Sequence, residues 1–108
     1  MDVRQLAAIV AVADHGTFSA AARALYTVQS NVSGHVAKLE RELGATLVDR
    51  SNGTLTEEGE RVVERARRVL HEIDDIAADI ASLDDDISGD ARIGVIGTTA
   101  RWLMPQLL

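Results

Sequence analysis

Residues 18–44 read FSAAARALYTVQSNVSGHVAKLERELG, which is two helical segments separated by a short interruption. The alanine-rich segment 20–25 has the strongest helix-forming composition in the chain, and Ser19 before it is a favourable N-cap residue. Tyr26–Val28 forms a tight connection to a third helix, which ends at Gly44. Two short helices joined by a tight turn predict a helix-turn-helix over about residues 18–38.

The predicted third helix has an apolar face and a polar face. The apolar face consists of Val32, Val36, Leu39 and Leu43. The polar face has the same i, i+3, i+4, i+7 spacing and consists of Asn31, Gly34, His35 and Lys38. At about 100° per residue, the two faces lie about a third of a turn apart. We therefore expect the aliphatic face to pack inward while the polar face stays outside.

The segments on either side complete a small domain over residues 1–56. Asp2 and Gln5 have the spacing of a capping box for a first helix over about residues 3–14, which Gly16 would end. Residues 46–51 are extended in character, and Asn52-Gly53 is a strong hairpin signal because both residues tolerate positive φ. We expect a small two-stranded wing over about residues 46–55.

Residues 57–87 predict one long helix, capped by Thr56. Its apolar residues alternate at spacings of four and three through Val62, Ala66, Val69, Ile73, Ile76, Ile80, Leu83 and Ile87. Such a pattern, sustained over more than three heptads, is typical of a seam that pairs two helices. A helix of this length, about 40 Å, cannot bury that seam alone, so we expect dimerisation through it.

Residues 88–108 predict a hinge followed by the start of another domain. A polar stretch at 84–90 is succeeded by an apolar strand at 92–97, and Thr98-Thr99 would cap a further helix. One strand and one helical turn cannot form a domain alone. The fold class is thus mostly α: a winged helix-turn-helix, then a long dimerisation helix, then an incomplete second domain.

Composition excludes several classes of function. The chain has 108 residues with no cysteine, and its three histidines lack metal-ligand spacing. We find no nucleophile–base set and no phosphate-binding loop, so we expect neither an enzyme nor a cofactor. No signal peptide or membrane span is visible, which favours a cytoplasmic protein without membrane contact.

The net charge of −6 is unusual for a DNA-binding protein, but it is unevenly distributed. Residues 1–55 carry five basic and five acidic side chains, so the acidity belongs to residues 56–108. Because phosphate attraction depends on local basic contacts, charge neither proves nor excludes DNA binding.

The second helix of a helix-turn-helix places its first residues against base edges in the major groove. Gln29 and Asn31 can each make a bidentate amide contact with adenine. Ser30 and Ser33 can bond a base or a phosphate, and Gly34 removes bulk where the helix meets the groove. A solvated helix face is the alternative interpretation of these residues.

Four further residues are candidates for contact with the DNA backbone. His35 and Lys38 suit a phosphate or a guanine. Arg50 is the basic candidate of the wing, unless it pairs with Asp49 or Glu42. Ser19 can present its helix N-terminus to a phosphate.

An ordered set of residues resembles the LysR-type transcriptional regulators. It comprises AAARAL at 20–25, Gln29, Ser33, Val36, Leu39-Glu40, ELG at 42–44, Leu47, Asp49-Arg50, LTEEG at 55–59 and Arg92-Ile93-Gly94. The resemblance covers essentially the whole chain. It implies a winged helix-turn-helix on operator DNA, linker helices paired antiparallel in a homodimer, and an effector-binding domain that is almost wholly absent here. In the full-length protein it also implies tetramers and a small-molecule effector.

This chain departs from the family pattern at several positions. Ser30 stands where the family usually has proline, and Val28 stands where it usually has serine. The N-cap role for the third helix is therefore expected to pass to Thr27. Gly34 replaces a frequent arginine, and the wing tip at 51–54 is uncharged, so we expect little minor-groove contact from it.

Two other functions fit parts of the pattern. The long apolar repeat alone would suit a coiled-coil interaction module that does not bind DNA. A different winged-helix family would share the first domain, but the heptad helix with a strand after it argues against that interpretation.

Overall fold

The computed structural model describes residues 1–85, which form four helices and a two-stranded antiparallel sheet. In chain order these are α1 (Val3–His15), α2 (Phe18–Ala24), α3 (Gln29–Leu43), β1 (Val48–Asp49), β2 (Thr54–Leu55) and α4 (Glu57–Asp85). The predicted fold class is confirmed. The predicted hinge, the strand at 92–97 and Ile87 lie outside the described residues.

Helix α1 begins and ends nearly as predicted. Asp2 has an extended backbone, and its Oδ1 accepts a hydrogen bond of 3.0 Å from the Gln5 backbone N–H. Gly16 ends the helix in the left-handed conformation at φ 84°. The reciprocal half of the capping box is absent, because the Gln5 side chain is buried and its Oε1 has no partner.

Helix α2 begins two residues earlier than predicted, and Ser19 is not its cap. Thr17 has the extended N-cap backbone, and its Oγ1 accepts a 3.0 Å hydrogen bond from the Ala20 N–H. Ser19 lies inside the first turn, where its Oγ accepts from Arg23 Nη1 at 3.1 Å. The earlier start brings Phe18 into the helix and packs its ring against the core.

Helix α3 ends as predicted, but it starts without a side-chain cap. Val28 is the N-cap residue, and no side-chain hydrogen bond closes the helix there. The expected cap, Thr27, instead accepts a 2.8 Å hydrogen bond at Oγ1 from Asn31 Nδ2. Leu43 is 41% exposed rather than buried, since the last turn of α3 extends beyond the core.

The core is aliphatic and lies where α1, α2, α3 and the first half of α4 meet. Its largest fully buried apolar side chains are Ile9, Val12, Val32, Val36, Leu39, Leu47 and Val48. Buried Ala21 and Ala22 bring α2 close to its neighbours, since alanine adds no bulk beyond Cβ. Three of the four residues predicted for the apolar face of α3 are therefore in this core.

The wing is shorter than predicted, and its turn is different. Val48 pairs with Leu55 and Asp49 pairs with Thr54, so a four-residue loop joins the strands. Gly53 has positive φ, but Asn52 does not, which excludes the predicted two-residue turn. Side chains close the loop instead: Asn52 Oδ1 accepts 3.0 Å and 2.6 Å hydrogen bonds from the N–H and hydroxyl of Thr54.

Helix α4 belongs to the core in its first half only. Thr56 caps it as predicted, because its Oγ1 accepts a 3.0 Å hydrogen bond from the Gly59 N–H. Val63, Ala66 and Leu70 are buried against the same subunit. Ala66 at 1% exposure is thus a core residue, which corrects its assignment to the pairing seam. The spacing gave this wrong assignment because α4 has a second apolar face, formed by Val63, Ala66 and Leu70, about a quarter turn from the first.

Candidate nucleic-acid interface

The outer face of α3 is polar and of low bulk. Its buried residues all lie on one side, so the opposite side projects from the domain. Ser30, Gly34 and Arg41 are exposed along that side at i, i+4 and i+11. A helix face with little side-chain bulk can approach a flat or grooved partner closely.

A cleft on the wing side of α3 has basic and hydroxyl groups along its walls. It is lined by Ser33, Ala37, Glu40, Arg41, Gly44, Ala45, Thr46 and Arg50. Arg41 forms no ion pair with any other residue of 1–85, so its guanidinium remains available to a ligand. Arg41 was missed in the sequence, although it lies seven residues after Gly34 on the same helical face.

Arg50 is tied to α3 rather than extended toward solvent. Its Nη1 donates a 2.9 Å hydrogen bond to Glu40 Oε1, and its guanidinium lies 5.2 Å from the centre of the Phe18 ring. Neither predicted alternative partner, Asp49 or Glu42, takes this role. With 40% of its side chain exposed, Arg50 still reaches the surface beside the cleft.

Glu40 connects α3 to the wing through its carboxylate. Besides Arg50, its Oε2 accepts hydrogen bonds from the backbone N–H groups of Leu47 at 2.7 Å and Val48 at 3.3 Å. Burial alone would raise the pKa of this carboxyl, but these hydrogen bonds outweigh it and hold the pKa below its usual value. The ionised carboxylate therefore fixes β1 and Arg50 relative to α3.

A second cleft lies on the other side of α3, against the start of α1. It is lined by Asp2, Arg4, Gln5, Ser30, Asn31, Gly34, His35 and Lys38. Two basic groups reach it from different helices, Arg4 from α1 and Lys38 from α3. Asp2 Oδ2 lies 3.6 Å from Arg4 Nη2, and the Gln5 N–H lowers the pKa of Asp2, so this carboxyl stays ionised.

The structure brings most of the predicted DNA-contacting residues onto one surface. Gln29, Ser30, Asn31, Gly34 and Lys38 are exposed, whereas Ser33 and His35 are half-buried at the edges of the two clefts. Arg50, after β1, lines the wing-side cleft together with Ser33, whereas Ser19 on α2 lines neither cleft. Arg4, which sequence reasoning missed, is brought beside Lys38 by the packing of α1 on α3.

A separate surface of the molecule is apolar and exposed. On the second half of α4, Ile76, Ile80 and Leu83 are 60–65% exposed, and Val69 nearer the core is 42% exposed. Together with half-buried Ile73, these residues form a continuous stripe, which we call the α4 stripe. At its inner end the stripe runs into an apolar groove whose lining includes Met1, Leu6, Leu43 and Val62.

The described residues offer neither a metal-binding cluster nor a membrane-spanning helix. No group of three or more histidine or acidic side chains has positions that could hold a metal ion. None of the four helices is both long enough and apolar enough to cross a membrane.

Known proteins match the sequence over its full length. A family model described as bacterial regulatory helix-turn-helix protein, lysR family, matches residues 3–60. The HTH-type transcriptional regulator EstR of Acinetobacter baylyi is 39% identical over 108 residues, covering 98% of this chain and 36% of that protein. The DNA-binding transcriptional dual regulator OxyR of Escherichia coli is 34% identical over 110 residues, covering 100% and 36%. The chain thus spans about a third of the length of these relatives.

Solved structures match the fold as well. Full-length LysG of Corynebacterium glutamicum with bound effector Arg superposes with a TM-score of 0.73 at 31% identity, covering 80% of this chain and 30% of that one. The BenM_DBD/benA site 1 DNA complex gives a TM-score of 0.70 at 31% identity, covering 82% and 99%. Because the family model spans more than half of the sequence and the fold agrees, the chain belongs to the LysR family of bacterial regulatory helix-turn-helix proteins.

Proposed function

We propose that this chain is the DNA-binding and dimerising part of a transcriptional regulator that binds operator DNA with α3 in the major groove. The observation that carries the proposal is that the outer face of α3 is polar and has small side chains near its start, whereas the aliphatic face of the same helix packs in the core. The matching BenM structure is a complex with DNA, which supports the same use of this fold.

We assign recognition of the DNA bases to the first residues of α3. Gln29 is exposed and has no side-chain hydrogen bond within residues 1–83, so its amide can bond both N6 and N7 on the major-groove edge of an adenine. Asn31 is exposed too; its Nδ2 donates one hydrogen bond to Thr27, which leaves its second N–H and its Oδ1 for a base. Ser30, Ser33 and Gly34 allow the helix to approach closely.

Phosphate contacts are assigned to basic groups on both sides of α3. Lys38 and Arg4 line one cleft, and Arg41 and Arg50 line the other, so the cationic groups flank the reading face. His35 sits at the edge of the cleft that Lys38 and Arg4 line, and it adds a hydrogen-bond donor there. Such contacts fix the position of a protein on the duplex without reading sequence. Ser19 keeps a lesser role at the N-terminal end of α2, where its Oγ accepts a hydrogen bond from Arg23 and its O–H can still donate to a phosphate.

The homodimer is assigned to the α4 stripe. Three large aliphatic side chains that are each about two-thirds exposed, in a row on one helix, favour burial against a partner helix. With Ala66 in the core, the pairing residues reduce to Val62, Val69, Ile73, Ile76, Ile80 and Leu83. An antiparallel arrangement would bring the end of each stripe onto the groove beside Leu43 of the other subunit.

The properties of the whole protein follow from its relatives. EstR and OxyR are named as transcriptional regulators, which supports regulation rather than catalysis as the role. LysG is described with a bound effector, so we propose a small-molecule effector domain after residue 88. We also propose a cytoplasmic location, because the named relatives are bacterial transcriptional regulators. Tetramers in the full-length protein belong to the same proposal.

DNA binding is tested by a footprint and a gel shift on the DNA that flanks the protein's own gene, at physiological salt. We expect protection on one face of the duplex in two adjacent major-groove segments. A chain that dimerises but shifts this DNA no better than unrelated DNA would instead be a coiled-coil interaction module.

Base reading is tested by Gln29→Ala. We expect affinity for the preferred site to fall by about 1–3 kcal/mol and specificity to relax at one base pair, measured by binding to single-base variants of the site. The control is Arg68→Gln, an exposed side chain of α4 that pairs with Glu64 and lines neither cleft nor the apolar groove, and this variant should bind as the parent does. If Gln29→Ala weakens binding equally for every sequence, Gln29 does not read a base.

A further inference from the structure

Val28 is an apolar residue in a position where polar residues are favoured. It is the N-cap of α3, with φ −99° and ψ 155°, and its side chain makes no capping hydrogen bond. The side chain is 59% exposed, although valine gains nothing from contact with water. It lies directly before Gln29, at the end of α3 that is assigned to the major groove.

Folding does not explain this valine. Serine, threonine, aspartate and asparagine all stabilise a helix at its N-cap, whereas valine does not. Val28 is absent from the core cluster and from the partly buried residues packed against it. A residue that satisfies neither the local rule nor the core is expected at a functional position.

The groove offers one apolar group of the right kind. Among the base edges in the major groove, only thymine presents a methyl group, at C5, and the remaining groups are hydrogen-bond donors and acceptors. Val28 is 59% exposed and directly precedes Gln29, so its two methyl groups are accessible at the end of α3 that is assigned to the groove.

We propose that Val28 makes an apolar contact with the C5 methyl of a thymine in the operator, next to the base pair that Gln29 reads. The contact makes Val28 a specificity-determining residue, with thymine favoured over cytosine or uracil at one position. This inference rests on the proposed function, since it needs α3 in the major groove.

The test replaces single thymines by deoxyuridine, which lacks only the C5 methyl. A preferred site is first selected from randomised duplexes with the 108-residue chain, and each thymine of that site is then replaced in turn. At one position we expect uracil to weaken binding about fourfold, the factor that corresponds to burial of one methyl group. The Val28→Ala variant should bind the thymine and uracil duplexes equally at that position.

Val28→Ser separates this role from a structural one. Serine restores a helix cap, so we expect a higher melting temperature together with loss of the methyl effect. The inference is supported by a thymine position at which uracil weakens DNA binding by the parent but not by Val28→Ala or Val28→Ser. If no position distinguishes the parent from the variants, the inference is overturned, while the proposed function stands because a site was selected. If the parent selects no site at all, the proposed function itself fails.

Discussion

Glu40 shows how one side chain can join two elements of a DNA-binding domain. Its carboxylate accepts hydrogen bonds from two backbone N–H groups of the chain entering β1 and from the guanidinium of Arg50. The ion pair with Arg50 is close to the surface and contributes little by itself. The two buried backbone donors matter more, because without Glu40 they would lack a partner.

Replacing Glu40 by glutamine should therefore loosen the wing. We expect Glu40→Gln to lower the free energy of unfolding at about pH 7 by about 2 kcal/mol, since one of the two accepting oxygens becomes an NH2 group that cannot accept and the other loses its charge. Urea unfolding at fixed protein concentration measures the change. Glu64→Gln, which removes only an exposed pair with Arg68, is the control and should change stability little.

The pH dependence of this difference has a defined sign. The folded pKa of Glu40 lies below its ordinary value, so its stabilisation is fully present above the unfolded pKa and is lost as pH falls through the folded pKa. The gap between the parent and Glu40→Gln should thus shrink at about pH 4 and below. An unchanged gap in acid would show that the pKa of Glu40 is the same in the folded and unfolded chains, so that ionisation of Glu40 does not stabilise the fold.

The roles of single side chains were harder to predict from the sequence than the helices, the wing or the fold. The positions of Asp2, Gly16 and Gly44 at helix ends were predicted correctly because their roles depend only on local backbone. The prediction that Ser19 is the N-cap of α2 was wrong, because Thr17 offers the same hydroxyl chemistry two residues earlier. The ion pair of Arg50 with Glu40 spans ten residues and depends on how β1 packs on α3, which spacing along the chain does not reveal.

At the scale of elements, the approach of α4 to the wing strand depends on one glycine. A Cβ on Gly59 would lie 2.0 Å from the carbonyl oxygen of Leu47 and 2.9 Å from its carbonyl carbon, so backbone would have to move. Gly34 in α3 is helical too, but a Cβ there meets nothing within 4 Å. The two glycines form a matched pair for one substitution.

Alanine at these two positions should have opposite effects. Gly59→Ala is expected to destabilise the domain by about 1–3 kcal/mol or more, because overpacking outweighs the better helix propensity. Gly34→Ala should stabilise it by about 0.5–1 kcal/mol, since the propensity gain is unopposed. Thermal unfolding followed by circular dichroism compares them. Equal changes in both variants would mean that Gly59 is not in close contact with the backbone of Leu47, the residue before β1.

The existence and order of the elements could be predicted because their apolar periodicities are strong. The three helices of the domain, the wing and the long α4 all follow from pattern and end signals. The strand lengths could not be predicted, since Asn52-Gly53 fits several turns and side-chain hydrogen bonds select a four-residue loop. The two faces of α4 overlapped in the sequence, so Val63 and Leu70 were missed as core residues.

At the scale of the whole molecule, α4 serves both the domain and its proposed partner. Its first half is fixed to α1, where Arg67 Nη2 donates a 2.6 Å hydrogen bond to Asp14 Oδ1 beside the buried residues. Its second half carries the exposed α4 stripe away from the core. Because one continuous helix links both parts, pairing two stripes would also set the distance between the two copies of α3, and hence between the half-sites.

A charge in the stripe tests this arrangement. Ile76 is 65% exposed in the single subunit, so Ile76→Asp should leave the fold of that subunit intact and yet place an unpaired charge in the dimer interface. We expect dimerisation to weaken at least tenfold by sedimentation velocity, with an unchanged helical circular dichroism signal. Ser82→Asp adds the same charge on an exposed face of α4 outside the stripe and should remain dimeric. If Ile76→Asp sediments as the parent dimer does, the subunits pair through another surface, and α4 does not set the spacing of the half-sites.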